Sequence, residues 1–204
     1  MSQVIDEAVF DVLYLLQCSE KNFSSELTIE ELCAFLYLSC LVGVVDKTPY
    51  SNWGYEFYLA DGEVTSTSIL DAVNYLRRRG LIEGTNERSR NLSLTDNGRR
   101  FLGLITGNAK YHMRTQYLSY SSDTTLFSPI EFILRGIYGN PELENSTTKS
   151  SARAVLGSSA RKRIYRSLLN ICARVGLDED DKLIATLSWI TYNNKKLDEF
   201  HHAG

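Results

Sequence analysis

Apolar residues recur with a helical period from the first residues of the chain. Val4, Ile5, Ala8, Val9, Val12, Leu15 and Leu16 fall on one stripe, with Glu7 and Asp11 outside it, which predicts an amphipathic helix over residues 4–17. The segment "TIEE" at 28–31 is a capping box, in which Thr28 satisfies a free backbone N–H and Glu31 reaches back. The helix it starts is apolar nearly all round to about Val44 (Leu32, Cys33, Phe35, Leu36, Leu38, Leu41, Val42), so it is expected at the centre of the fold. Pro49, Gly54 and Asp61-Gly62 carry turn chemistry, and "YEFYL" reads as a short strand between them. A third helix runs from Ser66 to Arg79 and stops at Gly80, the natural residue for a left-handed helix end. Its core face is predicted as Ile69, Leu70, Val73 and Leu76, and its solvent face as Asp71, Asn74, Tyr75 and Arg78.

After Gly80 the period changes to two. Leu81 and Ile82 open a strand, "EGTNERS" reads as a hairpin tip, and Leu92 and Leu94 alternate on the return. Thr95 or Asp96 caps a fourth helix with Phe101, Leu102 and Leu104. The second half reads as helical. "SPIE" at 128–131 places Ser128 as N-cap and Pro129 at the first helical position, and Gly139 and Pro141 turn the chain after it. "LENSTTKSS" is a polar connector. Ile164, Tyr165, Leu168, Leu169, Cys172 and Val175 form a further helical stripe closed by Gly176. A last helix carries Leu183, Ile184, Leu187 and Ile190, with Asp178–Asp181 as capping charges at its start.

Composition narrows the function classes. A chain of 204 residues with 43% hydrophobic and 23% charged residues suits a globular protein with a real core. The N-terminal segment lacks the basic start and cleavage site of a secretion signal, and its carboxylates rule it out as a membrane span, so a cytoplasmic protein is expected. Cys18, Cys33, Cys40 and Cys172 form no C-x-x-C pair, and His112, His201 and His202 have no cysteine or carboxylate at ligand spacing. With no nucleophile elbow, phosphate loop or metal-protease motif, neither an enzyme nor a bound cofactor or metal is expected.

Three helices followed by a two-stranded hairpin is the order of a winged helix-turn-helix. The pattern "LRRRGLIE…LSLTDNGRRFL" resembles the wing segment of winged-helix families such as the MarR-like and PadR-like regulators. The expected architecture is therefore mainly α: a winged-helix domain over residues 1–105, with a helical region, 106–204, packed on it. In such domains the third helix enters the major groove and the wing touches the neighbouring backbone. The resemblance makes Asn74 and Arg78 candidate base readers, with Asp71 beside them as an opposing charge. Arg79, Arg88 and Arg90 become candidate phosphate contacts.

A second basic stretch lies outside that domain. Between 149 and 177 there is no acidic residue, and Lys162, Arg163, Arg166 and Arg174 project opposite the apolar stripe. Arg161, Lys162, Arg163 and Arg166 are thus further candidates for DNA contact, although such a face also suits plain solvation. The net charge of −3 means that any attraction to DNA is local.

The stretch "YEFYLADGEVTSTSILDAVNYLRRRGLI" resembles segments of compact helical adaptor and antitoxin proteins, with Gly62-Glu63-Val64-Thr65 where those carry Gly-Pro-aromatic-Ser. It is also similar to winged-helix proteins that serve as the small middle subunit beside an SMC- or Rad50-like ATPase in bacterial three-component defence systems such as Lamassu. The resemblance implies a non-enzymatic adaptor with an ATPase partner and sequence-tolerant contacts to duplex DNA. Trp53, Tyr55, Phe57 and Tyr58 are then the candidate protein-binding surface, or else a strand of the core. The alternatives are a transcriptional regulator acting as a dimer through the third helix and wing, and an antitoxin-like inhibitor.

Overall fold

Three helix boundaries that the sequence encodes have hydrogen bonds behind them. At residues 28–31 the Thr28 N–H donates to Glu31 Oε2 (2.8 Å) and the Glu31 N–H donates to Thr28 Oγ1 (3.1 Å). That reciprocal pair starts α2 (Ile29–Val45), after α1 (Asp6–Asn22). Helix α3 (Thr67–Arg78) ends in a Schellman motif: the Gly80 N–H donates to Arg77 O and the Leu81 N–H to Leu76 O, both at 3.0 Å, with Gly80 at φ +65°. The Thr95 hydroxyl accepts from the Gly98 N–H (3.0 Å) at the start of α4 (Asp96–Ile105) and donates to Gly80 O (2.8 Å), tying two helix ends together.

A computed structural model of the chain describes residues 4–22, 26–45, 53–84, 91–140, 143, 158–176 and 181–202. Side chains are described for these except 44, 45, 158–162, 165, 172, 175 and 200–202. The chain is mainly helical, with eight α-helices among the described residues. The remaining four are α5 (His112–Asp123), α6 (Ile130–Tyr138), α7 (Ser158–Val175) and α8 (Lys182–His202). Strands β1 (Tyr58–Ala60) and β2 (Glu63–Thr65) pair antiparallel across Asp61-Gly62, both at positive φ, as a two-residue hairpin turn requires. Strands β3 (Ile82–Glu83) and β4 (Ser93–Leu94) pair in the register Ile82 with Leu94. Leu27, between α1 and α2, bridges Leu92 just before β4, through backbone bonds of 2.7 and 3.3 Å, and so adds a third segment to that hairpin.

Helix α2 is buried from Leu32 to Gly43, as its all-round apolar sequence demands. Helix α5 packs on both α1 and α2, α6 packs on α8, and α7 lies on α8 and α2. One core therefore runs from Phe10 and Phe35 through Tyr117 and Leu118 to Ile137, Leu168 and Trp189, with no break at residue 105.

Several sequence expectations shift. The buried face of α3 is Ile69, Ala72, Val73 and Leu76, while Leu70 is 37% exposed. The spacing i, i+3, i+4, i+7 from Ile69 selects Ala72 and turns Leu70 outward. Tyr75, expected in solvent, packs half-buried against the core. In α8, Ile184 is 48% exposed, and the buried face instead includes Thr186, Asn193 and Asn194. Those asparagines face α6 because their amides donate to the carbonyls of Gly136 and Phe132, each at 2.9 Å. Helix α6 begins one residue later than "SPIE" suggests, with Pro129 at the cap position and no side-chain cap bond.

Candidate nucleic-acid interface

The exposed face of α3 consists of Thr67, Leu70, Asn74, Arg77 and Arg78, while Asp71 is half-buried. Asn74 and Arg78 are one turn apart and adjacent on that face, as the sequence projects. Arg77 is exposed beside them, and its guanidinium lies against Gly84 after β3. The C-terminal end of α3 thus presents an amide and two guanidiniums next to the hairpin. Arg79 caps the helix and sits over the Tyr75 ring, 5.5 Å from its centroid, so it is part of the same basic corner. Arg88 and Arg90 lie outside the described residues.

Other cations are spent on the fold. Arg99 forms ion pairs with Glu20 of α1 (2.8 Å) and Asp96 (2.9 Å), which holds α4 to α1. Lys110 pairs with Glu7 (2.7 Å), and Arg135 pairs with Asp198. Arg100 stays exposed on α4.

On α7, Ile164 and Leu168 are buried and Arg163, Arg166 and Arg174 are exposed, so the helix is two-faced as the sequence reads. The side chains of Arg161 and Lys162 lie outside the described ones. This basic face sits on a helix whose neighbours are α2 and α8, whereas α3 packs on α1 and the hairpin. The chain therefore carries two separate basic faces.

The aromatic segment is corrected by the structure. Trp53, Tyr55 and Phe57 are 6%, 5% and 0% exposed, so they form core and present no docking surface; Tyr58, half-buried, donates its hydroxyl to Glu56 (2.9 Å). Trp53 and Tyr55 enclose a charge pair. Asp11, read in the sequence as lying off the apolar stripe, is 0% exposed, and Arg114 of α5 is 7% exposed. Arg114 Nε and Nη2 donate to the two Asp11 carboxylate oxygens at 2.6 Å, and Nη2 also donates to Trp53 O at 2.6 Å. The Tyr55 hydroxyl donates to Asp11 Oδ2 at 2.7 Å, and the Trp53 ring lies 4.2 Å from the guanidinium carbon. Burial pushes the Asp11 carboxyl above its usual range, with Arg114 and Tyr55 pulling against it. Burial and the Asp11 charge push the Tyr55 hydroxyl well above its usual range. This cluster joins α1, α5 and the 53–57 segment; both Asp11 oxygens are bonded by Arg114, while the buried Trp53 indole N–H has no acceptor among the described residues, and the bidentate charge pair marks the cluster as structural.

Large apolar side chains are exposed elsewhere: Leu126 (59%) and Phe127 (65%) at the 3₁₀ turn Thr124–Leu126, which packs on α8, Ile184 (48%) on α8 and Leu104 (82%) on α4. Sequence reasoning passed over Leu126 and Phe127; their signal was two adjacent large apolar residues just before a proline turn.

Among the described residues no group of three or more histidine, cysteine or acidic side chains is placed to hold a metal ion. No described helix is long and apolar enough to cross a membrane. No protein-family model, curated protein or solved structure matches the chain.

Proposed function

We propose that the protein is a non-enzymatic winged-helix subunit that grips duplex DNA through phosphate contacts and serves as an accessory to an SMC- or Rad50-like ATPase, in a bacterial anti-phage defence complex. The observation that carries the DNA reading is the exposed corner of Asn74, Arg77, Arg78 and Arg79 beside the β3–β4 hairpin. Support for the winged-helix reading comes from the element order α1, Leu27 bridge, α2, α3, β3–β4 hairpin, with the β1–β2 hairpin inserted between α2 and α3, in which Leu27 supplies the third strand position against Leu92. In that fold α3 faces the groove and the hairpin flanks it.

Three cations and one amide favour the backbone over the bases, because arginines without a fixed carboxylate partner meet any phosphate equally well. The binding is therefore sequence-tolerant and salt-sensitive. The accessory role follows from the resemblance of residues 55–82 to adaptor segments. It is supported by the exposed neighbours Leu126 and Phe127, apolar side chains that the fold leaves for a partner. The regulator reading has one observation in its favour: Asn74 is exposed next to Arg78 on α3, where a base reader would stand.

Isolation of the tagged protein at its native level, with cross-linking and mass spectrometry, tests the accessory role. A stoichiometric coiled-coil ATPase whose recovery falls on Phe127→Asp is the expected result. Recovery of the protein as a lone dimer on one operator would replace this reading with the regulator.

A further inference from the structure

The basic face of α7 does not lie flat to solvent. It forms one wall of a cleft against α8, with a volume of about 310 Å³, lined by Arg163, Arg166, Ser167, Asn170, Arg174 and Tyr192. That volume lies at the lower end of the range for ligand sites, about 300–1,000 Å³. Positions 163, 166, 170 and 174 recur at i, i+3, i+7 and i+11, so the cleft tracks one face of α7 for about 16 Å at 1.5 Å per residue. Arg166 and Arg174 form no ion pair with any described carboxylate, and no acidic residue occurs between 149 and 177.

The opposite wall contributes an aromatic ring. Tyr192 of α8 is 39% exposed and lines the cleft, and Lys196 stands 5.9 Å from its centroid. A row of guanidiniums alone would suit any polyanion. An accessible ring set beside that row adds a flat apolar platform, which phosphate, sulfate and intact duplex cannot use. A base can use it only when it has left its stack, so the pairing of basic groove and aromatic platform selects a single strand.

We propose that the cleft between α7 and α8 is a binding site for a single nucleic-acid strand. Phosphates of the strand are held by Arg166 and Arg174, assisted by Arg163, and one base stacks on Tyr192. Ser167 and Asn170 supply neutral hydrogen-bonding groups between the arginines, without the geometry of a base-specific reader. The site is distinct from the α3 corner, and it shares with the proposed function only the premise that the protein acts on nucleic acid.

The test is fluorescence anisotropy of the full chain with a labelled oligothymidylate of about 12 nucleotides, within the site size of such grooves, and with a mixed-sequence duplex, at two salt concentrations. Arg166→Glu with Arg174→Glu is expected to weaken oligothymidylate binding at least about 10-fold and to reduce its salt slope by about 1.4, the contribution of two phosphates on a single strand. Tyr192→Leu is expected to weaken it at least about 5-fold with the salt slope unchanged, and Tyr192→Phe to restore it, since stacking needs the ring and not the hydroxyl. Duplex binding is expected to stay at the wild-type level in both Tyr192 variants, which carry the wild-type charge. These side chains are exposed, and unchanged thermal melts will show that the variants are folded.

Oligothymidylate binding that is absent, or indifferent to the cleft variants, overturns the proposal. So does competition by inorganic phosphate as effective as that by the oligonucleotide, which would make the cleft a simple anion site. Loss of duplex binding on Arg77→Glu with Arg78→Glu concerns the α3 corner alone. A protein that binds oligothymidylate but no duplex would refute the proposed function and leave the cleft assignment standing.

Discussion

Replacing Arg114 by methionine keeps the apolar stem and removes the charge that Asp11 depends on. Asp11 is 0% exposed and would retain only the Tyr55 hydroxyl, having lost two bonds of 2.6 Å; Trp53 O would lose its donor as well. Breaking a buried pair from one side costs about 3–5 kcal/mol, because the remaining charge stays out of water. For a chain of this length that corresponds to a fall in Tm of roughly 6–20 °C. The pH dependence identifies the cause. Burial already holds the Asp11 carboxyl above its usual range, and removing Arg114 takes away the chief influence that lowers it. The folded variant then keeps a proton that the unfolded chain releases near its ordinary pKa of about 4. Its stability is greatest below that value and falls as pH rises towards the raised folded pKa. Urea denaturation at pH 5 and pH 8 reads this directly: the deficit of Arg114→Met relative to the parent should be smaller at pH 5. The double variant Asp11→Leu with Arg114→Met should recover part of the loss, since no charge is then buried. A deficit below about 1 kcal/mol, the size of an ordinary exposed ion pair, or one equal at both pH values, would refute a buried charge pair at the centre of the fold.

Three further outcomes test the local geometry. Gly98→Ala should destabilise by about 3 kcal/mol or more through overpacking, because an added Cβ would fall on the carbonyl oxygen of Leu81; an unchanged denaturation midpoint would deny the close approach of α4 to the hairpin. Gly80→Val should cost about 1–2 kcal/mol for a left-handed backbone and Gly80→Asn much less, since nothing crowds a Cβ there and only the φ of +65° matters; equal midpoints for the two would remove the Schellman end of α3. Cys18 and Cys33, whose thiols burial raises to about 11 and about 12, should resist alkylation in the native protein. At pH 8 their thiolate fractions are on the order of 0.001 and 0.0001, against roughly a quarter for a free thiol, and peptide mapping that finds Cys33 labelled as fast as in urea would contradict its placement.

Local rules carried the sequence reading well where one hydrogen bond decides a structure. The Thr28/Glu31 box, the Gly80 stop, the Thr95 cap and the strand positions at Ile82 and Leu94 are each written in two or three adjacent residues, and each is found where those residues put it. What was hidden is the polar interior. Helix α5 has no apolar stripe, because its buried face carries Arg114, Ser121 and Ser122, and those groups are satisfied by partners on α1 and α2 such as Asp11, Asn22 and Ser39. A pattern search for hydrophobic periodicity cannot see such a helix. Asp11 gave a signal that was available: a lone carboxylate in "AVFDVLYLL", with apolar neighbours on every side, must either leave the core or find a cation. The same pair explains the misplaced aromatic surface, since Trp53 and Tyr55 are needed to cover it. The candidate site was legible in part. Asn74 and Arg78 are exposed together as expected, whereas the cleft at Tyr192 depends on how α8 lies along α7, which no short motif encodes.

The α3 corner is proposed to grip duplex DNA by its phosphates and not by its bases. Titration of mixed-sequence duplexes and of any duplex enriched by selection, at two salt concentrations, with Arg77→Glu plus Arg78→Glu and separately with Asn74→Ala, tests it most directly. Charge reversal is expected to weaken binding to every duplex at least about 10-fold and to lower the salt slope by about 1.8, two phosphates' worth on B-form DNA, while Asn74→Ala is expected to change affinity by less than about 2-fold. A selected site bound about a thousandfold tighter than random DNA and lost on Asn74→Ala, or affinity indifferent to reversal of both arginines, would contradict it.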